Sequence, residues 1–418
     1  MGREKVDVLI IGAGPSGSVA ASYLHNNGFT VKVVEKNKFP RFVIGESLIP
    51  RCMDHFEAVG LIDCLKEKGF EVKTGARFLQ GPKACEFDFS KKHTDGWNWT
   101  WQVPRAEFDK TLTDELERRG IDIDFEKEVT AVEFSEDGSS ATTILDIDGN
   151  SSQIEAKYII DSSGFGRVLP RLLGLDKPSE IPKHSSIFTH VEDVRRPEGW
   201  EGHRITFDIV SRETWLWVIP FSNGYTSIGY VGPTNYLESF KGNNEDKLRE
   251  MMKLSSHYLD RFEGLPYAFE PKMIKNIAKS VTKLYGDGFV LTGNSAEFLD
   301  PVFSSGVTFA TESAHLAAKM IAKELKGETV DWETDYSQHM LDGVNVFSTY
   351  VKEWYTGNLQ KIFFTDSENP VIKSQICAVL AGYVWDQTNP FVKNHHRLVR
   401  TVAHITDMEK EAAATSFK

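Results

Sequence analysis

Gly12, Gly14 and Gly17 stand in a Gly-x-Gly-x-x-Gly spacing, with Pro15 and Ser16 between the last two. A turn of this kind can hold a pyrophosphate. Gly12 allows the tight bend, Gly14 lets the backbone approach the phosphates, and Gly17 lets the following helix pack close. Exposed N–H groups and the positive end of the helix dipole then face the negative charge. Glu35 follows about 18 positions after Gly17, where an acid can hydrogen-bond a ribose diol. The elements that must position these residues surround them. Residues 6–11 are a Val- and Ile-rich run that reads as a buried parallel strand, residues 18–24 as a helix, and residues 29–34 as a second strand ending at Glu35. This order implies dinucleotide binding; the alternative is a glycine turn in some other α/β protein.

The chain has 418 residues, enough for two or three lobes. Its net charge of −12 and lack of a basic block argue against nucleic acid as a partner. No apolar run reaches the ~18 residues needed to span a bilayer, so no integral membrane segment is expected. The first residues run directly into the first strand and leave no room for a signal peptide. Cys52, Cys64, Cys85 and Cys377 show no CxxC spacing and read as inert thiols in a reducing cytoplasm. No metal site stands out among the histidines.

Further along, Gly45-Glu46-Ser47 lies in an irregular loop bounded by Pro40 and Pro50, with Glu46 and Ser47 near the start of a helix and a helical pattern through Leu65. Residues 70–78, carrying Lys73, begin a segment of strands. Trp97, Trp99 and Trp101 alternate, so a strand would place all three on one face; a core stripe is favoured over a substrate wall. Gln102 and Arg105 precede a helix ending at Gly120. Strands follow over 121–132 and 142–147, and Asp161, Ser163 and Gly164 form a second glycine turn after a buried strand. Residues 184–232 read as a separate antiparallel sheet containing Trp215 and Trp217, and 245–254 as a helix. A third turn, with Asn294, Asp300 and Pro301, leads through Ser305, Gly306 and Val307 into a helix, and the chain after Gly327 reads as helical and rich in aromatics.

These markers together resemble the hydroxybenzoate-hydroxylase-like FAD enzymes over roughly residues 5–325. The resemblance implies an α/β fold: a Rossmann-like FAD-binding domain over 1–328, built from about 1–70, 102–180 and 280–328. An antiparallel-sheet substrate domain (about 71–101 and 181–279) is inserted, and 329–418 form a C-terminal helical cap. It also implies that Lys36, Arg41, Gln102, Arg105 and Val129 contact FAD; a surface ion pair is the alternative for the two arginines. Where the family has Gly-Asp at the late turn, this chain has Asn294, which accepts a hydrogen bond without carrying charge.

Within that group, Trp215-Leu216-Trp217-Val218-Ile219-Pro220, residues 73–78 and residues 298–307 resemble flavin-dependent halogenases, particularly those acting on phenol or pyrrole rings. The resemblance implies that reduced FAD and O2 oxidise halide held by backbone N–H groups near Ser305-Gly306. Trp215 and Trp217 would wall the flavin off from an electron-rich aromatic substrate, free or tethered to a carrier protein. Lys73 would receive the hypohalous acid, with an ordinary exposed lysine as the alternative. Asp300 is placed with the catalytic residues. A separate reductase would supply reduced flavin. The other functions open are a non-halogenating aromatic monooxygenase, a prenyl-lipid reductase-like dehydrogenase, and a flavin-binding redox sensor without turnover.

Overall fold

The structure, a computed structural model, describes residues 4–416. The Val- and Ile-rich strand Glu4–Ile11 sits inside an eight-stranded sheet, flanked in parallel by Val31–Glu35 and Ser151–Asp161. Phe289–Leu291 extends the sheet beyond Ser151–Asp161, and Asp122–Phe125 extends it beyond Val31–Glu35. Three of these strands, Glu4–Ile11, Ser151–Asp161 and Phe289–Leu291, run at their carboxyl ends into the glycine turns. Val8, Leu9 and Ile10 are fully buried because helices cover the sheet, among them Pro15–Asn26, which packs on Gly306–Leu325.

A second sheet has seven strands, in the order Lys272–Ile274, His184–Glu192, Tyr225–Pro233, Trp215–Pro220, Thr206–Ile209, Gly75–Gln80 and Lys83–Asp88. It is mixed rather than purely antiparallel, since Gly75–Gln80 and Thr206–Ile209 pair in parallel. Period-two alternation divides its side chains. Phe78, Phe207, Trp215, Trp217 and Ile219 join the main core, while Leu216, Val218, Ile228 and Tyr230 face a smaller core with Leu248 and Met251.

Several expectations shift in detail. The helix after Pro50 starts at Arg51, so Glu46 and Ser47 lie in extended loop before it; Ser47 bridges to Gln102 instead. Residues 70–78 are not one strand. Glu71–Lys73 pairs with Thr100–Gln102 in a small ribbon, and the chain then enters the second sheet at Gly75. Only Trp101 of the tryptophan trio is in a strand; Trp97 and Trp99 approach it as irregular, half-buried chain. The three rings touch edge to face at 5.4 and 5.2 Å, a core stripe. Beyond Gly327 the chain is helical, with a π-helical turn over Trp332–Gln338, then His339–Tyr355, Asn358–Phe363, Pro370–Leu380 and His395–Ser416. Among the described residues no helix is long and apolar enough to cross a membrane, and no cluster of His, Cys, Asp and Glu could hold a metal ion.

Candidate functional site

The glycine turns and the inner face of the second sheet enclose a cavity of about 550 Å³. At its phosphate end, Gly12 has φ +100°, and a side chain there would come within 2.6 Å of the Ser162 carbonyl oxygen. A Cβ on Gly17 would lie 2.0 Å from the Gly12 oxygen, so only glycine allows the helix to cross so close. Ser16 Oγ, Ser162 Oγ and Thr292 Oγ1 lie within 2.8–3.1 Å of one another and tie together the ends of three strands. Glu35 lines the cavity while accepting from the backbone N–H groups of Ala13 (3.1 Å) and Asn37 (2.9 Å). Lys36 and Val129 line the same end; Lys36 also pairs with Glu128 at 2.7 Å.

Two arginines converge on the buried Asp109. Arg41 approaches it at 2.8 Å, and Arg105 forks onto both its oxygens at 2.8 and 3.0 Å. This is a buried charge cluster at the cavity wall, not a surface ion pair. Arg105 also donates to the carbonyls of Ile44 and Gly45, fixing the loop where Gly45 takes φ +109°. Glu46, held in that loop, accepts from His190 Nε2 at 2.6 Å, and its other carboxylate oxygen is buried without a partner. Ser47 lines the cavity and accepts from Lys73 Nζ on its far side at 2.8 Å.

The opposite wall is strand Trp215–Pro220, from which Trp215, Trp217 and Ile219 point inward. Trp217 Nε1 donates to Ser227 Oγ (3.0 Å), and Trp215 Nε1 to the Tyr355 hydroxyl (3.3 Å). The last wall is the run from Asp300 through Pro301, Ser305, Gly306 and Val307. Asn294 lines it too, with its side-chain oxygen buried and unpartnered.

The structure brings Gly12, Gly14, Pro15, Ser16, Glu35, Lys36, Arg41, Glu46, Ser47, Arg105, Val129, Ser163, Gly164, Trp215, Trp217, Asn294, Asp300, Pro301, Ser305, Gly306 and Val307 to one cavity. Four expected site residues are not in its wall. Gly17 packs the helix on the turn. Asp161 is fully buried and accepts from the N–H groups of Ser163 and Leu169, shaping the second turn from behind. Gln102 is not itself in the wall; its amide donates to the His203 and Pro220 carbonyls and accepts from the Ile205 N–H, as a buried amide must find partners. Lys73 lies one residue behind the wall, and it is buried rather than exposed, donating to Ser47 Oγ and the Leu48 carbonyl. Among the described residues no carboxylate accompanies it, and burial pulls its amine down to about 7. The sequence reading missed His184, His190 and Tyr355, which meet the site residues only through tertiary contacts; a lone His or Tyr carries no local signal of that.

The residues present fit FAD. A glycine turn and helix end suit the pyrophosphate, Glu35 suits the ribose, and an aromatic wall suits a flat ring. The orphaned oxygens of Asn294 and Glu46 call for donors that its hydroxyl or ring N–H groups can provide. A family described as FAD binding domain matches residues 5–341. The chain belongs to this family. It is an FAD-dependent enzyme of halogenase-like build. It is 26% identical to a 1H-pyrrole-2-carbonyl-[peptidyl-carrier protein] brominase of Pseudoalteromonas luteoviolacea, covering 92% of this chain and 93% of that one. It is also 26% identical to the corresponding chlorinase of Pseudomonas fluorescens, covering 92% and 91%. Among solved structures, a flavoprotein/dehydrogenase from Cytophaga hutchinsonii superposes with a TM-score of 0.95 at 52% identity, covering 97% of this chain and all of that one. A triple mutant of the flavin-dependent brominase Bmp2 superposes with a TM-score of 0.81 at 25% identity, covering 93% and 98%.

Proposed function

We propose that this FAD enzyme oxidises halide and halogenates an electron-rich aromatic ring, with the second sheet forming the substrate-facing lobe. The observation that carries the reading is Lys73: a buried amine with no counter-charge among the described residues, joined by Ser47 to the flavin cavity, whose opposite wall holds two tryptophans. Bound reduced FAD with O2 supplies the two-electron oxidation of halide. The N–H groups near Ser305 and Gly306, at the start of helix Gly306–Leu325, favour an anion there. Trp215, Trp217 and Ile219 keep the ring away from the flavin. With its proton affinity near neutrality, Lys73 can hydrogen-bond hypohalous acid as an ammonium or form a chloramine with it as a free amine. The pyrrole brominase and chlorinase among its relatives support a pyrrole- or phenol-like ring presented on a carrier protein. A separate reductase supplies reduced flavin.

A second reading, dehydrogenation, is favoured by the 52% identical neighbour described as a flavoprotein/dehydrogenase. The test uses purified protein with reduced FAD, O2, bromide and phenol. Brominated phenol that disappears in Lys73→Ala is the expected result. Bromide-independent hydroxylation moves the assignment to a monooxygenase. FAD reduction by an organic substrate without O2-dependent product moves it to a dehydrogenase.

A further inference from the structure

Asp300 forms part of the cavity wall with its side chain almost wholly enclosed. Its carboxyl accepts from the Val302 N–H at 3.0 Å and from the Tyr355 hydroxyl at 3.0 and 3.1 Å. Among the described residues no Lys or Arg lies within ion-pair distance of it. The nearest titratable base is His184, whose Nδ1 is 3.8 Å from Asp300 Oδ2 and has no hydrogen-bond partner. The His184 ring stacks on Tyr355 with centroids 3.9 Å apart and planes 17° off parallel. The same Tyr355 hydroxyl accepts from Trp215 Nε1, and the charge of Glu213 reaches it as well as that of Asp300. A carboxylate here would be a charge boxed in by aromatic rings. Burial accordingly pushes Asp300 up to about 7 and holds His184 down to about 4. Near neutral pH the carboxyl is poised between its two forms and the imidazole is neutral.

The chemistry read above needs a proton. Halide oxidation balances as FADH2 + O2 + X⁻ + H⁺ → FAD + H2O + HOX. Dioxygen takes four electrons, two from reduced FAD and two from the halide. Ring hydroxylation, FADH2 + O2 + RH → FAD + H2O + ROH, takes up none. We propose that Asp300 is the proton donor for halide oxidation at this cavity, with Tyr355 and His184 as its positioning residues. The carboxyl O–H bond breaks, its proton leaves in the water formed from O2, and the carboxylate regains a proton from solvent before the next turnover. The inference rests on the halide-oxidising function.

Two measurements test it. In the resting protein with oxidised FAD bound, the infrared carboxyl absorption of a buried acid should titrate near neutrality. That signal should vanish in Asp300→Asn, which can still accept from the Val302 N–H. In Tyr355→Phe its midpoint should move to higher pH, because a donor to the carboxylate is lost. In turnover, Asp300→Asn should lower bromide oxidation by about 10²-fold or more. The falling alkaline limb of the wild-type rate should follow the infrared midpoint, upward in Tyr355→Phe. Full bromination by Asp300→Asn, or a limb that stays put in Tyr355→Phe, overturns the donor while leaving halide oxidation intact. Wild-type O2 consumption with no bromide dependence overturns both.

Discussion

Lys73 shows how a single side chain can be set for chemistry by what surrounds it. Its amine meets a hydroxyl and a carbonyl oxygen but no anion among the described residues, so folding favours the neutral form. In the fold it titrates near 7, against 10.5 when unfolded. Below pH 7 both states are charged, and the fold carries the whole desolvation cost. Between 7 and 10.5 the unfolded chain binds more protons, so the unfolding free energy rises with pH, and above 10.5 the cost is gone. Lys73→Met removes this titration. The melting temperature of the wild type relative to Lys73→Met should therefore climb across that window; thermal unfolding at a series of pH values giving a constant difference would refute the burial. The lysine was legible in the chain only through its resemblance to a family strand, since its immediate neighbours read like those of any surface lysine.

At the level of elements, the strand Trp215–Pro220 works as a wall because its neighbour leaves room for it. Gly229 pairs with Trp217, and a Cβ there would come within 2.4 Å of the indole and 2.5 Å of Phe188 Cβ. Gly229→Ala should push Trp217 off Ser227 and toward the cavity. The expected outcome is an unfolding free energy lower by about 1–3 kcal/mol together with weaker FAD uptake, read by titrating the apo-protein with the yellow cofactor. Unchanged FAD affinity would mean the indole has another place to go. The glycine turns were readable because a strand, a bend and a helix signal one another within a few residues. The alternation of residues 215–220 was readable for the same reason. Gln102 was not: its type and neighbours fit cofactor contact, yet its amide meets three backbone groups, at His203, Ile205 and Pro220, all far from it in sequence. Tyr355 and His184 were illegible too, because only the packing of a C-terminal helix against a distant strand brings them to Asp300.

Across the whole molecule, the helices after Gly327 are bound to the flavin-gripping half through a buried charge. Glu312 receives Arg51 at 2.9 Å, His55 at 2.8 Å and His339 at 3.0 Å, joining three regions of the chain. These partners hold its carboxyl far below the ordinary carboxylate range despite burial. Its stabilisation is therefore present above pH 4.5 and is lost as pH falls toward the folded value. Glu312→Gln should lower the unfolding free energy by about 3–5 kcal/mol in urea titration at neutral pH. A loss below 1 kcal/mol would show that the cap holds on by apolar packing alone.

The Ser16, Ser162 and Thr292 hydroxyls that close on one another belong to widely separated stretches of chain. A polypeptide still leaving the ribosome has made the first glycine bend long before the third of these hydroxyls exists. The pyrophosphate cradle therefore has no fixed floor until synthesis has passed residue 292 of 418. Cofactor loading becomes a late event, and translation products ending before Thr292 emerge unable to retain it.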